Sequence, residues 1–192
     1  MKKRIAIFAS GSGSNAQKIM EHFKRHTEAE VVLILTNNPS AYVLQRADNF
    51  EIPSHIFTRH EFYETDDVIR ILKTLQVDII VLAGFLWLVP PDLLQAFPNK
   101  IINLHPALLP KYGGKGMYGD HVHKAVLAAN EEESGITIHF ASEQFDEGEI
   151  IHQSKFKIEP GDNLEMVKFK GQQLEHQYFP KVIENLLKKM KS

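Results

Sequence analysis

Residues 5–23, IAIFASGSGSNAQKIMEHF, decide the fold. Ile5-Ala6-Ile7-Phe8 is a short apolar run stopped by Ser10-Gly11-Ser12-Gly13, which reads as a buried strand. From Asn15 the period changes, and Ile19, Met20 and Phe23 share one face of a helix. Met1-Lys2-Lys3-Arg4 followed by apolar residues mimics a signal peptide, but the apolar part is too short and glycines follow at once, so a first strand is the reading.

The same alternation repeats outward from this unit. Val31–Leu35 reads as a second buried strand and 41–49 as a helix. His55-Ile56-Phe57 is a short third strand. A single helix is expected over Glu61–Leu75, carrying Phe62, Val68, Ile69 and Leu72. Asp78–Ala83 is a fourth strand closed by Gly84, and Pro90-Pro91 can open a helix because no amide donor is needed there. Ile101–Leu104 is a fifth strand stopped by Pro106. The stretch from Lys111 to Asp120, with four glycines, is a loop. Helix returns over His121–Ala129, and strands follow at Ile136–Phe140 and Glu149–Ile158. A long helix over Asn163–Lys189 closes the chain, with Pro180 expected to kink or split it and Lys188–Lys191 expected as a solvated tail. The fold class is therefore α/β: a Rossmann-like, mostly parallel sheet with helices on both faces. The two closing strands have no clear helix between them, so one late strand is expected antiparallel.

With 192 residues the chain reads as one domain, 1–192. Hydrophobic residues make up 43% and charged residues 24%, which rules out disorder as the main state. The net charge of -2, from 22 basic and 24 acidic residues, gives no footprint for nucleic acid. Cysteine is absent, so disulfides and thiol nucleophiles are excluded. The longest apolar run, Ile79–Val89, is eleven residues and ends at two prolines, whereas a spanning helix needs about 20; no membrane partner is expected.

Sheets of this kind place ligands at the carboxyl ends of their strands. The first such end is the glycine loop, Ser10–Asn15. Gly11 and Gly13 permit positive φ, and the helix start offers free amides and a positive dipole end suited to a phosphate. The loop also fits a loose dinucleotide fingerprint, but that needs an acid near the end of the second strand, where Thr36-Asn37-Asn38 stands, so NAD binding loses its support. No Gly-Lys-Ser/Thr closes a P-loop. At the fifth strand end, Asn103 and His105 are two apart and point to one side. Asn can donate to a carbonyl oxygen as charge builds on it, and His can move a proton near neutral pH. Asp146, in Phe145-Asp146-Glu147-Gly148, can orient the His, keep it protonated or fix a water. Each residue also has a plain structural reading as a turn or packing residue. No nucleophile elbow accompanies them, so direct attack by an external amine or water on a carbonyl fits better than an acyl-enzyme. His121 and His123 are two apart at a helix start, diverge, and make poor metal partners; no metal is expected. The apolar loop Phe85-Leu86-Trp87-Leu88-Val89 after the fourth strand can sandwich a flat heterocycle. His139 lies in an alternating strand, and Gln172 and Glu175 share a helix face.

These residues together resemble the glycinamide ribonucleotide formyltransferase family, over Ile5 to about Pro180. The resemblance is carried by Ser10–Asn15, Leu82-Ala83-Gly84-Phe85, Ile102–Pro110, and Gly135–Gly148 with its Asp146-Glu147-Gly148 ending. It implies a cytoplasmic purine-biosynthesis enzyme, a monomer or homodimer, that uses 10-formyltetrahydrofolate as formyl donor and no metal. It implies Asn103, His105 and Asp146 as the catalytic trio. It implies Gly13, Ser14 and Asn15 for the ribonucleotide phosphate, and Gln172 and Glu175 for its ribose and phosphate region. It implies Phe85, Leu86, Trp87, Leu88, Val89, Asn103, His139, Phe140 and Asp146 around the folate, whose pterin is read largely by backbone groups. Trp87 stands where a familiar member has Arg, Glu147 replaces a Gly, and the 113–120 loop, with Lys115 and Met117, is longer than in compact members. Formyltetrahydrofolate deformylase shares the trio but usually adds an amino-terminal regulatory domain. Methionyl-tRNA formyltransferase usually adds a carboxyl-terminal RNA-binding barrel. A non-catalytic folate- or nucleotide-binding module is the alternative from another class.

Overall fold

The structure is a computed structural model and describes residues 1–190. Along the chain run β1 (Lys3–Phe8), α1 (Ser14–Phe23), β2 (Ala29–Thr36), α2 (Val43–Asn49), β3 (Ser54–Ile56), α3 (Arg59–Tyr63), α4 (Asp67–Thr74), β4 (Ile79–Leu82), α5 (Pro91–Ala96), β5 (Ile101–His105), α6 (Asp120–Ala128), β6 (Glu133–Phe140), β7 (Ile150–Lys157) and α7 (Leu164–Lys189). The strands form one sheet in the order β3-β2-β1-β4-β5-β6-β7. β1 to β5 pair in parallel. β6 is antiparallel to both of its neighbours, so it alone runs against the rest.

The period of two in β1 explains how both faces are covered. Ile5, Ile7 and Ala9 join a core with α1 and α7, through Ile19, Phe23, Phe179 and Ile183. Ala6 and Phe8 join a second core with α3, α4 and α5, through Phe62, Leu72 and Leu93. All five of these β1-segment residues are fully buried, which is what an internal parallel strand demands.

Three local expectations are corrected. The helix expected over Glu61–Leu75 is two. At Thr58 a capping box starts α3, with Glu61 N donating to Thr58 Oγ1 at 3.2 Å and Thr58 N donating to Glu61 Oε2 at 2.6 Å. Thr65 Oγ1 then accepts from Asp67 N at 3.2 Å, and this second local contact breaks the run and starts α4. Pro180 does not split α7, which is continuous through it. Proline removes one helical hydrogen bond, but Phe179 and Ile183 on either side are fully buried in the core, and that packing holds the helix together. Lys188 and Lys189 form the last turn of α7 rather than a tail, with Lys188 paired to Glu184; Lys191 lies outside the described residues.

The strand order reverses direction between β1 and β4, where open sheets form a crevice. Ser10 N donates to Gly84 O at 3.0 Å and Leu86 N donates to Ser10 Oγ at 3.1 Å, which ties the loops after β1 and β4 together at that point. On the far side, Gly148 lets the segment carrying Asp146 return against β6. A Cβ on Gly148 would stand 1.6 Å from the Phe140 carbonyl oxygen. Gly148→Ala therefore destabilises the protein by about 3 kcal/mol or more, read as a lower denaturant midpoint; an unchanged midpoint would show that this turn can give way. No helix among the described residues is long and apolar enough to cross a membrane.

Candidate active site

A cavity of about 500 Å³ opens over the carboxyl ends of β1, β4 and β5. Asn103 and His105 enter it from β5, Asn15 from the first turn of α1, Glu175 from α7, and Asp146 from the loop after β6. The glycine-rich 114–119 segment forms the facing wall.

At the reactive end, Asp146 adopts a left-handed backbone (φ 60), which turns its carboxylate inward. Gly114 N donates to Asp146 Oδ2 at 3.0 Å, His105 Nδ1 lies 3.3 Å from the same oxygen, and Asn103 Nδ2 lies 3.4 Å from Oδ1. Burial alone raises the carboxyl pKa. The hydrogen bond from His105, the His105 charge and the Gly114 amide outweigh it and hold Asp146 well below the ordinary carboxylate range. The other nitrogen of His105, Nε2, lies 2.7 Å from the Tyr112 carbonyl oxygen. A carbonyl and a carboxylate only accept, so the ring satisfies both when it carries both protons.

His139 fixes Asn103 in turn. Its Nδ1 lies 2.8 Å from the Phe140 carbonyl oxygen and must be the protonated nitrogen there. Its Nε2 then accepts from Asn103 Nδ2 at 3.1 Å. In that tautomer the 3.5 Å approach of His139 Nε2 to Asp146 Oδ1 is not an ion pair. The β5–β6 register, with Asn103 opposite His139, makes the contact a cross-strand pair. The arrangement presents two N–H donors, Asn103 Nδ2 and His105 Nε2, backed by a buried carboxylate. It can stabilise negative charge building on a carbonyl oxygen.

At the other end, α1 starts with Gly13 as its cap, without a side-chain hydrogen bond and with no acidic residue in the first turn. Its amides are therefore open to an anion. The expectation of positive φ at both loop glycines is corrected: Gly13 takes φ 71 and Gly11 does not. A Cβ on Gly13 would also stand 2.5 Å from Val43 Cγ2, whereas Gly11 has open space. Asn15 Nδ2 donates to Glu175 Oε2 at 2.6 Å, and Gln172 Nε2 approaches Ser14 Oγ at 3.4 Å, so the shared face of α7 does reach α1. Burial raises the Glu175 pKa, partly offset by the Asn15 hydrogen bond.

A narrower cleft lies on the other side of Asn103, lined by Phe85, Trp87, Leu88, Val89, His139 and Asp146. The Phe85 ring packs on Phe8 with centroids 5.3 Å apart, and Trp87 stacks among Phe57, Phe62 and Tyr63. Leu86 is 49% exposed at the mouth of the main cavity. Phe140 lines neither space: its side chain packs on the core around α7 and only its carbonyl enters the hydrogen-bond network.

A family model described as formyl transferase matches residues 3–183. The chain belongs to the formyl transferase family. It is 38% identical over 188 residues to the chloroplastic phosphoribosylglycinamide formyltransferase of Arabidopsis thaliana, covering 95% of this chain and 64% of that protein. It is 38% identical over 187 residues to the phosphoribosylglycinamide formyltransferase of Haemophilus influenzae, covering 95% of this chain and 86% of that one. The chain thus spans under two-thirds of the plant relative and most of the bacterial one. The crystal structure of phosphoribosylglycinamide formyltransferase from Bacillus halodurans superposes with a TM-score of 0.87 at 38% identity, covering 98% of this chain and 97% of that chain.

Two side chains of this formyl transferase that sequence reasoning set aside or passed over stand at the site. His123 is 7% exposed and lines the main cavity, while His121 faces solvent. Its spacing to Val126 on the buried face of α6 was the available signal. Arg46 Nε donates to the Ser12 carbonyl at 2.7 Å and brings a cation to the glycine loop. Nothing in the sequence near Arg46 signals that contact. Among the described residues no cluster of three His, Asp or Glu side chains is arranged to hold a metal ion.

Proposed function

We propose that this formyl transferase moves the formyl group of 10-formyltetrahydrofolate to the amine of glycinamide ribonucleotide, by direct amine attack. One observation carries the reading: a single cavity joins the first turn of α1, beside its open amides, to the Asn103, His105 and Asp146 cluster, and so suits a ligand with a phosphate at one end and a nucleophile at the other. The phosphate sits on the amides of Gly13, Ser14 and Asn15, with Arg46 and the α1 dipole adding positive potential. The apolar cleft beside Trp87 and Val89 takes the flat heterocycle of the donor.

The amine nitrogen attacks the formyl carbon, and the carbonyl π pair moves onto oxygen. Asn103 Nδ2–H and His105 Nε2–H meet that oxyanion, the latter leaving the Tyr112 carbonyl that it faces at 2.7 Å. Asp146, ionised, holds His105 through Nδ1 and anchors a water that carries the amine proton to the departing folate nitrogen. The carbon–nitrogen bond to the folate then breaks, and the formamide product and tetrahydrofolate leave with charge and protons balanced.

The test is loss of formyl from 10-formyltetrahydrofolate, followed with and without glycinamide ribonucleotide. Loss that requires the ribonucleotide and yields its formamide is the expected result. Release of formate without the ribonucleotide would make the protein a deformylase, and no loss under either condition would leave a binding module.

A further inference from the structure

The segment 111–114 makes its polar contacts with His105 and Asp146 through backbone atoms. The Tyr112 carbonyl oxygen faces His105 Nε2 at 2.7 Å, and Gly114 N donates to Asp146 Oδ2 at 3.0 Å. Gly113 is wedged between them: a Cβ there would stand 2.5 Å from Leu109 Cδ2 and 3.2 Å from Asp146 Cβ. The path of the chain therefore decides both contacts. That path is strained, because Tyr112 takes a left-handed backbone, φ 58, which an aromatic residue rarely adopts. Such a turn persists only when its surroundings hold it. Glu131, in the turn after α6, supplies the hold. Its backbone N donates to Val126 O at 3.4 Å and β6 begins two residues later, so the side chain leaves from a fixed point. Its Oε1 accepts from Tyr112 Oη at 2.8 Å and from Lys111 Nζ at 2.8 Å. The Lys111 side chain is 66% exposed and screened by solvent, so the half-buried tyrosine bond is the stronger tie.

On the reading that His105 and Asp146 perform formyl transfer, we infer that Glu131 is a positioning residue for that reaction: through the Tyr112 hydroxyl it fixes the backbone turn that brackets His105 and Asp146. Glu131 lies outside the cavity wall and acts only through Tyr112. The His105 ring is held at both ends, at Nδ1 by the carboxylate 3.3 Å away and at Nε2 by the Tyr112 carbonyl. With the hydroxyl released, the strained turn relaxes and the ring gains freedom to rotate. Its Nε2–H is then aimed at the formyl oxygen for a smaller share of the time.

Steady-state formyl transfer from 10-formyltetrahydrofolate to glycinamide ribonucleotide tests this, in the wild type, Glu131→Ala, Glu131→Gln, Tyr112→Phe and the double variant Glu131→Ala/Tyr112→Phe. Glu131→Ala and Tyr112→Phe each lower kcat about fivefold, the worth of one net hydrogen bond, and leave both KM values nearly unchanged. Glu131→Gln keeps most of the activity, because its amide oxygen still accepts from the hydroxyl. The double variant loses no more than either single one, since both remove the same tie. Losses that add in the double variant, a rise in KM with kcat intact, or a rise in kcat would each overturn the inference. His105→Ala separates it from the reading on which it rests. If His105→Ala loses about 10²-fold in kcat while Glu131→Ala and Tyr112→Phe keep the wild-type value, the inference falls and the formyl-transfer reading stands. If His105→Ala keeps its rate, or the wild type transfers no formyl group, both fall. Should Glu131→Ala fail to fold, Tyr112→Phe, which removes a single oxygen atom, decides alone.

Discussion

Asp146→Asn lowers kcat for formyl transfer by about 10²–10⁴-fold, the range for loss of a positioned proton-transfer group. Three donors converge on this carboxylate: Gly114 N, His105 Nδ1 and Asn103 Nδ2. An asparagine there has one acceptor oxygen, and its NH₂ group must face at least one of those donors. His105 Nδ1 loses its carboxylate partner, and the water loses its anchor. The pH behaviour changes in a defined direction. The folded pKa of Asp146 is depressed below its ordinary value of 3.8, so its contribution to stability is complete above that value and is lost as pH falls through the lower folded one. The wild type therefore shows no Asp146 titration in kcat between about pH 5 and 9, and the variant loses part of the acid-side dependence of stability. A variant that keeps full kcat would remove Asp146 from the mechanism.

Asn103→Ala lowers kcat by about 10²–10³-fold and leaves the KM values of both substrates nearly unchanged. The Asn103 amide is held by a chain that starts at the Phe140 carbonyl, passes through the Nδ1–H tautomer of His139 and ends at Asn103 Nδ2, with His139 only 2% exposed. The Nδ2 hydrogen that faces Asp146 Oδ1 at the longer distance of 3.4 Å turns to the formyl oxygen as it becomes an anion, so its effect falls on the transition state rather than on binding. Steady-state kinetics with each substrate varied gives the split. A rise in KM with kcat intact would show that Asn103 holds a ground state instead.

Much of this was legible before the structure because it depends on local period and strand ends. The unbroken apolar run Ile5–Phe8 read as a buried strand, and β1 does lie between two cores; the i, i+2 spacing of Asn103 and His105 put both side chains on one side, and both line one cavity. Gln172 and Glu175 were read as one helix face, and that face does meet α1. What was not legible depends on contacts distant in sequence or on side chains competing with the backbone. The Asn15–Glu175 bond spans 160 positions. The split between α3 and α4 comes from Thr65, whose hydroxyl accepts from Asp67 N inside a run whose apolar spacing is that of one helix. His123 looked like half of a poor metal pair, and only the packing of α6 against α7 shows that it faces the cavity.

In direct transfer to the amine, no formyl group rests on the protein at any step. The most direct measurement uses a donor labelled with carbon-13 in the formyl group. The protein is first mixed with that donor alone and its intact mass recorded, and the ribonucleotide is then added and the label located by NMR. Direct transfer gives an unmodified protein mass and the label in the formamide of the ribonucleotide. Label bound covalently to the protein, or label found only in formate, would contradict it.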